Sequence, residues 1–290
     1  VSVPTLSVIV TCRNSARTLE ETLESIVSQT YAGWWEVVVV DNASTDTTVE
    51  VAEAFSARFA EVSYRVLRVP NPGHQAAGLN HGIASTTGEA LVFVDSDDLV
   101  AEGYLQRMGE VLATAGLAGG ELDVVRLNPV DVRHRREPLQ VNRIDTLCGF
   151  RPAVVGATMG ARREPLERIG GFDEALPTQH DLDLSWRLAG IGVQPVFVPG
   201  AVVHYRYRLG PREIFEQERG YGVGEVLLYR KFRPLGMRRR GPRAVVGSWV
   251  GVLRALTGVL LPGGPSRLAT RLGMAVGHVE GSRRHRTLYL

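Results

Sequence analysis

The chain opens with a short run of buried character, Leu6-Ser7-Val8-Ile9-Val10, after which residues 16–29 set Leu19, Leu23, Ile26 and Val27 three to four positions apart. A continuous apolar run of that length predicts a strand, and the wider spacing predicts an amphipathic helix behind it. The alternation recurs. Val37-Val38-Val39-Val40 predicts a second strand, followed by a helix starting near Asp46 with Ser44 or Thr45 as its cap. Residues 64–69 predict a third strand and residues 76–84 a helix. A fourth strand, Ala90-Leu91-Val92-Phe93-Val94, runs into Asp95-Ser96-Asp97-Asp98. Strands and helices in alternation predict an α/β fold with a mostly parallel central sheet flanked by helices. Ligands of such sheets bind beyond the carboxyl ends of the strands, and polar residues stand at three of those ends: 11–14, Asp41, and 95–98.

The second half is less regular. It predicts a strand near 122–127, an apolar stretch over 153–161, the turn Gly170-Gly171-Phe172-Asp173-Glu174, a short helix over 181–188, and strands over 193–198 and 201–205. A domain edge is expected near 208–211, giving one domain over 1–210 and a helical, basic C-terminal extension over 211–290. Within the extension, residues 213–232 read as helix, 233–243 as a basic linker with Pro234 and Pro242, and 245–261 as an apolar stretch. That stretch carries Arg254 and Gly247, Gly251 and Gly258, so it falls short of the ~20 clean apolar residues of a spanning helix. An interfacial helix is expected there instead.

Charge sharpens this division. Over 290 residues the formal net charge is only +2, yet residues 1–205 carry 16 arginines against 26 carboxylates and residues 206–290 carry 17 cations against 5 glutamates. Such separation suits an anionic partner for the tail: a membrane surface, nucleic acid, or the acidic body of the same chain. A solvated arginine-rich face is the plainer alternative. Cys12 and Cys148 are too few for a disulfide framework or a zinc cluster. With no basic-then-apolar leader before residue 11, a cytoplasmic location is expected.

Three carboxylates in four positions after a buried strand repel one another unless a cation is near. Oxygen-only ligation completed by water and phosphate oxygens is the Mg²⁺ or Mn²⁺ pattern. An acidic turn capping the next helix is the competing reading. An EF-hand is disfavoured, because Leu99 and Val100 stand where a ligand and a glycine belong.

Six segments in order carry a resemblance: the first strand with Asn14, residues 40–46 (Val-Asp-Asn-Ala-Ser-Thr-Asp), Leu79-Asn80-His81-Gly82-Ile83, the 95–98 turn, Gly171-Phe172-Asp173, and Asp181-Leu182-Asp183-Leu184-Ser185-Trp186-Arg187. Over roughly residues 5–230 the chain resembles the family 2 glycosyltransferases of the GT-A fold. The resemblance implies inverting sugar transfer from a nucleotide-sugar to a hydroxyl acceptor, with the donor half at about 1–98 and the acceptor half at about 99–210. It implies nucleobase binding by Asp41, metal and diphosphate binding by Asp95 and Asp97, a catalytic base at Asp181, and a metal ligand at His204. Thr11, Arg13, Asn14, Asn80 and Ser96 are the further donor-binding candidates, and Asp173, His180, Trp186 and Arg187 the acceptor-side ones.

Elementary chemistry agrees with several of these roles. A carboxylate accepts the imide N–H of uracil or thymine, which favours a UDP- or dTDP-linked donor, although guanine could also donate through its N1–H and amino group. Asp181 opens a helix, where the dipole favours the ionised form a base requires. Asp183 should face elsewhere, with Arg187 four residues on as its partner. Two departures stand out. Arg13 replaces an aromatic residue often found there, although a guanidinium plane also stacks on a base. His180 replaces an acid, and it would weaken the base if protonated or orient an acceptor hydroxyl if neutral.

The pattern disfavours other classes. A sugar-phosphate nucleotidyltransferase needs a glycine-rich basic loop after the first strand, and a dinucleotide oxidoreductase needs G-x-G-x-x-G there; residues 11–16 contain no glycine. A non-catalytic sugar- or lipid-binding module would lack the acid pair or the base. No nucleic-acid recognition motif accompanies the basic tail. The expectation is thus a metal-dependent enzyme of cell-surface polysaccharide or glycolipid assembly, peripheral on an anionic membrane and serving a lipid-linked acceptor.

Overall fold

Four parallel strands, β1 (Leu6–Cys12), β2 (Trp35–Asp41), β3 (Ser63–Arg68) and β4 (Ala90–Asp95), form half of the central sheet in the computed structural model, which describes residues 2–59, 61–71 and 73–289. Helices α1 (Leu19–Val27), α2 (Thr48–Ala54) and α3 (Gln75–Ala84) connect them. The pleat sends alternate side chains of β1 to opposite faces. Val8 and Val10 pack with Leu19, Leu23 and Ile26 of α1, whereas Ile9 packs with Leu79 and Ile83 of α3. Both faces of β1, β2 and β4 are covered, so these three strands read as apolar runs, whereas the edge strand β3 is half-exposed.

After β4 come the two-residue strand β5 (Leu99–Val100), α4 (Tyr104–Leu112), β6 (Leu117–Asp123), α5 (Val130–Arg133), the small hairpin of β7 (Thr146–Leu147) with β8 (Arg151–Pro152), β9 (Met159–Arg162), α6 (Arg163–Arg168), α7 (His180–Gly190) and β10 (Pro195–His204). The eight-stranded sheet has the order β3-β2-β1-β4-β9-β6-β10-β5. Strand β9 is antiparallel to both its neighbours, and the β10–β5 pair is also antiparallel. This is the expected α/β architecture, a mostly parallel sheet flanked by helices.

Two strands differ from expectation. Strand β6 begins at Leu117, earlier than the expected 122–127, and includes Gly119 and Gly120, whose missing side chains leave room for its crowded neighbours. A Cβ on Gly120 would stand 2.3 Å from the Ala201 carbonyl oxygen. The two strands expected over 193–205 are one strand, β10, whose pairing with β6 shifts register between Phe197 and Val202, at Gly200 with φ of 74°.

The C-terminal region is helical: α8 (Pro211–Phe232), α9 (Pro242–Thr257) and α10 (Gly264–Arg284). Contacts between α8 and α10 advance in step, Gly273 against Phe215, Gly277 against Arg219 and Gly281 against Val223, so the helices run parallel. The glycines let the backbones approach closely; a Cβ on Gly277 would meet the Arg219 carbonyl oxygen at 2.2 Å. Arg219–Glu280 and His278–Glu225 pairs flank this seam. A third apolar cluster joins Leu182 and Trp186 of α7 to Val226, Leu228 and Phe232 of α8 and to Tyr289. The extension therefore shares a core with the rest of the chain across the expected edge near 210. Among the described residues no helix is long and apolar enough to cross a membrane.

Candidate active site

A cleft of about 1060 Å³ lies beyond the carboxyl ends of β1 and β4. Thr11, Arg13 and Asn14 contribute from β1, Asp95, Ser96 and Asp97 from β4, Gln75 from α3, Tyr205 to Arg208 from the segment after β10, and Gln217 and Tyr221 from α8. Asn14 turns the chain at φ 53°, a left-handed conformation that asparagine tolerates. Its Oδ1 accepts from the Thr45 N–H at 2.8 Å, and its own N–H donates to Ser44 Oγ at 2.8 Å. The loops after β1 and β2 are thereby locked together. The Ser96 hydroxyl stands 2.7 Å from that of Ser15, while the Thr11 hydroxyl accepts from Gln75 Nε2. Arg13 is exposed on the cleft wall.

The acidic turn divides its side chains. Asp95 and Asp97 line the cleft, and Asp98 is fully buried beneath it. Gln75 Nε2 donates to Asp95 Oδ1 at 2.7 Å, and Arg208 stands 3.5 Å from Asp97 Oδ2. Arg206 Nε donates to the Asp97 carbonyl oxygen at 2.9 Å and Arg206 N–H to Asp98 Oδ1 at 2.7 Å. Asp98 Oδ2 is buried without a partner. Burial, and then repulsion from Asp97, pushes the Asp95 carboxyl up to about 7. Burial also raises Asp97, against the pull of Arg208 and Arg206, and raises Asp98 well above the usual range.

Helix capping does not account for this turn, because α4 starts only at Tyr104 with Gly103 as its cap. Two desolvated, mutually repelling carboxylates facing one cleft are a donor set that fits Mg²⁺ or Mn²⁺, with water and phosphate oxygens completing the shell. Among the described residues, no three His, Cys, Asp or Glu side chains converge as a cluster able to hold a metal by themselves.

His204 departs from its expected place. Its Nδ1 is 2.6 Å from Asp123 Oδ2 and its Nε2 is 2.9 Å from an Arg126 nitrogen. A guanidinium only donates, so Nε2 accepts and Nδ1 carries the proton toward Asp123. Both ring nitrogens are used, and His204 is not part of the cleft wall. Asp41 differs too. It is buried at the end of β2, and both its oxygens accept from the Ser44 N–H, at 3.2 and 3.3 Å. It stiffens the loop under the cleft, and its neighbour Asn42 is the one that lines the wall.

Asp181 stands in the first turn of α7, with Gln179 at φ 62° just before the helix. Its Oδ2 accepts from the Gly156 N–H at 2.8 Å and its Oδ1 from the Leu182 N–H at 3.0 Å. It borders a cavity of about 260 Å³ and another of about 130 Å³, the latter also lined by Asp95 and Gln75. Tyr205 and Tyr221 border both cavities and the main cleft. The structure thus brings Asp95 and Asp181 to the wall of one cavity, the 130 Å³ one, which adjoins the main cleft at Asp95 and Gln75. His180 lines the 130 Å³ cavity, with its ring edge-on to Phe172 and Nδ1 unpaired. Burial lowers its pKa, so of the two forms considered the neutral one is present near pH 7.

Four of the sequence-derived candidates serve the scaffold. Trp186 is 1% exposed, with Nε1 donating to the Arg151 carbonyl and its ring packed by Phe150 and Phe232. Arg187 binds Asp183, the Ile169 carbonyl and the Gly171 carbonyl. Its pairing with Asp183 is the one expected from helical spacing. Asn80 is not part of the cleft wall: it exchanges two bonds with the Phe172 backbone and donates to Glu174. Asp173 accepts from Lys231 at 2.6 Å, and that contact holds its carboxyl below the usual range despite partial burial. Sequence reasoning missed Gln75, Tyr205, Arg206, Arg208 and Tyr221. The alternation of aromatic and cationic residues in Tyr205-Arg206-Tyr207-Arg208, directly after a strand, was the available signal.

A doubly covered, mostly parallel sheet with an acid pair facing cations at its carboxyl edge is the layout of a nucleotide-binding transferase. The profile of glycosyl transferase family 2 matches residues 7–170, more than half of the chain, and the protein belongs to that family. It is 28% identical over 266 residues to the succinoglycan biosynthesis protein ExoA of Rhizobium meliloti, covering 86% of this chain and 78% of that one. It is 25% identical over 232 residues to glycosyltransferase AglE of Haloferax volcanii, covering 79% and 75%. A 38% match to glycosyltransferase GlyG of Streptococcus pneumoniae spans only 36% of this chain and 33% of that protein. Among solved structures, the mannosyltransferase PcManGT of Pyrobaculum calidifontis, in complex with GDP-Man and Mn²⁺, superposes with a TM-score of 0.69 at 19% identity, covering 97% and 87%. TarS 1–349 of S. aureus, in complex with UDP-GlcNAc, gives 0.57 at 17%, covering 99% and 93%. At these identities the two structures establish the shared fold.

Proposed function

We propose that the protein transfers a sugar, with inversion, from a nucleotide-sugar to a hydroxyl acceptor in polysaccharide or glycolipid assembly. The observation that carries this reading is that Asp95 lines both the cleft holding Asp97 and the neighbouring 130 Å³ cavity, which Asp181 also lines. A donor diphosphate bound at the acid pair would have its anomeric carbon toward Asp181. Asp95 and Asp97 would hold Mg²⁺ or Mn²⁺, which neutralises the diphosphate and the charge on the leaving nucleotide. Arg208, more than half exposed, is placed to add a second cation. Asp181 takes the proton from the acceptor hydroxyl as that oxygen attacks C1 from the face opposite the leaving group. Neutral His180 beside it offers the acceptor a hydrogen-bonding partner.

His204 would join the cation only by exchanging Arg126 for it. Its Nδ1–H to Asp123 bond already fixes the tautomer that a ligating histidine uses. Reading of a uracil or thymine by Asp41 would use the lone pairs its carboxylate keeps beside the Ser44 N–H. Arg13 supplies a planar surface at the cleft for that base. PcManGT is described with GDP-Man and Mn²⁺, and TarS with UDP-GlcNAc, so relatives of this fold bind both purine and pyrimidine donors. The acceptor is read as lipid-linked, at the inner, anionic face of a membrane reached through the C-terminal region. Binding of UDP-, dTDP- and GDP-sugars with Mn²⁺ present, followed by release of nucleotide on adding acceptors, tests the reading. Metal-dependent binding of a UDP- or dTDP-sugar is expected. Preference for GDP reverses the base assignment, and no binding of any nucleotide-sugar removes the proposal.

A further inference from the structure

Helix α9 turns its apolar side away from the protein. Val246, Trp249, Val250, Leu253 and Leu256 are all exposed, Leu253 at 63%. At 3.6 residues per turn they fall within an arc of roughly 120°. Of the residues that α9 buries, Gly251 lies opposite the stripe and faces Arg271 of α10, while Val252 borders the stripe beside Leu256. Leu260 and Leu261 prolong the exposed surface beyond the helix, Leu260 at 97%. A continuous stripe of this kind marks an interaction surface, unlike apolar residues scattered singly.

Charge identifies the partner. No acidic residue occurs between Glu225 and Glu280, a span that contains Arg238, Arg239, Arg243 and Arg254, all exposed. Ion pairs in this part of the chain are made by Arg219, Lys231 and His278. The four arginines therefore have no carboxylate partner among the described residues. On the helical projection Arg243 and Arg254 lie along one edge of the stripe. A second copy docked through this stripe would set its own arginines against these with no acid to offset them.

We propose that α9 is the element that docks the protein on an anionic lipid surface, its apolar stripe at the acyl boundary and its arginines among the headgroups. This deepens the membrane-side reading given above and rests on it. Apolar area and basic charge are the two signals that reversible attachment needs together. The path to the active site is short. Helix α9 packs on α10 and α10 on α8, which supplies Gln217 and Tyr221 to the cleft, while Met274 of α10 lines the 260 Å³ cavity with Asp181. Two helix layers of 8–10 Å would set the cleft about 20 Å from the lipid surface.

The test is flotation of the full chain with vesicles of phosphatidylcholine alone or with phosphatidylglycerol added, at low and high salt. Partition into the anionic vesicles is expected to exceed that into neutral ones by roughly tenfold or more and to fall with salt. Leu253→Ser with Leu256→Ser, and separately Arg239→Ser with Arg243→Ser, should each reduce partition by about tenfold and leave nucleotide-sugar binding unchanged. Absence of partition, or a stripe variant that binds vesicles as wild type does, overturns the proposal. So does a wild-type dimer that the stripe variant splits without loss of vesicle binding. Donor binding measured on the same samples separates the outcomes: lost vesicle binding with intact donor binding contradicts this inference alone, whereas the converse contradicts the proposed function.

Discussion

Asp98 Oδ1 accepts the main-chain N–H of Arg206 at 2.7 Å, which ties the segment after β10 to the acidic turn after β4. Asp98 is fully buried, its other oxygen is unpaired, and burial raises its pKa well above the usual range. Its job is to fix the chain that carries Arg206 and Arg208 over the cleft. Asp98→Asn keeps the acceptor and is expected to stay within about 1 kcal/mol of wild type, while Asp98→Ala strands the buried N–H and costs about 1–3 kcal/mol. Urea unfolding of the two variants checks this; equal losses would remove the bond from the account.

Asp97 faces the cleft with Asp95 as its neighbour, so a diphosphate arriving there without a cation meets two repelling acids. Nucleotide-sugar binding should therefore weaken strongly in EDTA for the wild type. Asp97→Ala should abolish the rescue by Mn²⁺. Calorimetry with and without chelator decides the point. Wild-type affinity of Asp97→Ala in EDTA would show that the acid pair holds no metal for the donor.

Arg208 approaches Asp97 at 3.5 Å but is more than half exposed, which leaves its guanidinium free to turn to phosphate. Arg206 is less available, being held by Glu21, the Asp97 carbonyl and Asp98 through its main chain. Arg208→Gln is expected to weaken nucleotide diphosphate binding by about 1.5–3 kcal/mol, the range for a hydrogen bond to a charged group, with the melting temperature nearly unchanged. Arg206→Gln should lower the melting temperature as well. Titration of UDP into both variants, paired with thermal denaturation, distinguishes them.

Strands β1, β2 and β4 were legible because each is covered on both faces and reads as an apolar run, and their ends located the cleft without any side-chain geometry. Elements built on glycine were harder to read. Gly119 and Gly120 obscured β6, and the four-residue spacing of Gly273, Gly277 and Gly281 is a packing seam on α8 rather than a break. Helix α4 carries apolar residues at helical spacing, Tyr104, Leu105, Met108 and Leu112, but follows Gly103 and holds an interior Gly109 that Tyr31 crowds. Within the site, Asp95, Asp97 and Asp181 stood out as acids at strand and helix ends. Which way Asn80, Trp186 and Arg187 face depends on what packs against α3 and α7, and no local pattern encodes that. Arg206 and Arg208 reach the cleft because the end of β10 pairs with β5, which directly follows the acidic turn.

Asp181 and Asp183 give the most direct test of the account, since they share a charge and a helix turn but face different surroundings. Asp181 borders the cavities, whereas Asp183 is fully buried between Arg187 at 2.7 Å and Lys231 at 2.6 Å. The decisive measurement is turnover of sugar transfer by Asp181→Asn and Asp183→Asn, with donor affinity and stability recorded alongside. Asp181→Asn is expected to fold, to bind donor and cation as wild type does, and to lose turnover by a factor on the order of 10²–10⁴. Asp183→Asn should lose about 3 kcal/mol of stability by leaving its cations half-paired while the folded fraction keeps its turnover. An Asp181→Asn variant that retains most of its turnover would contradict the account and move the base to Asp173, Glu174 or His180.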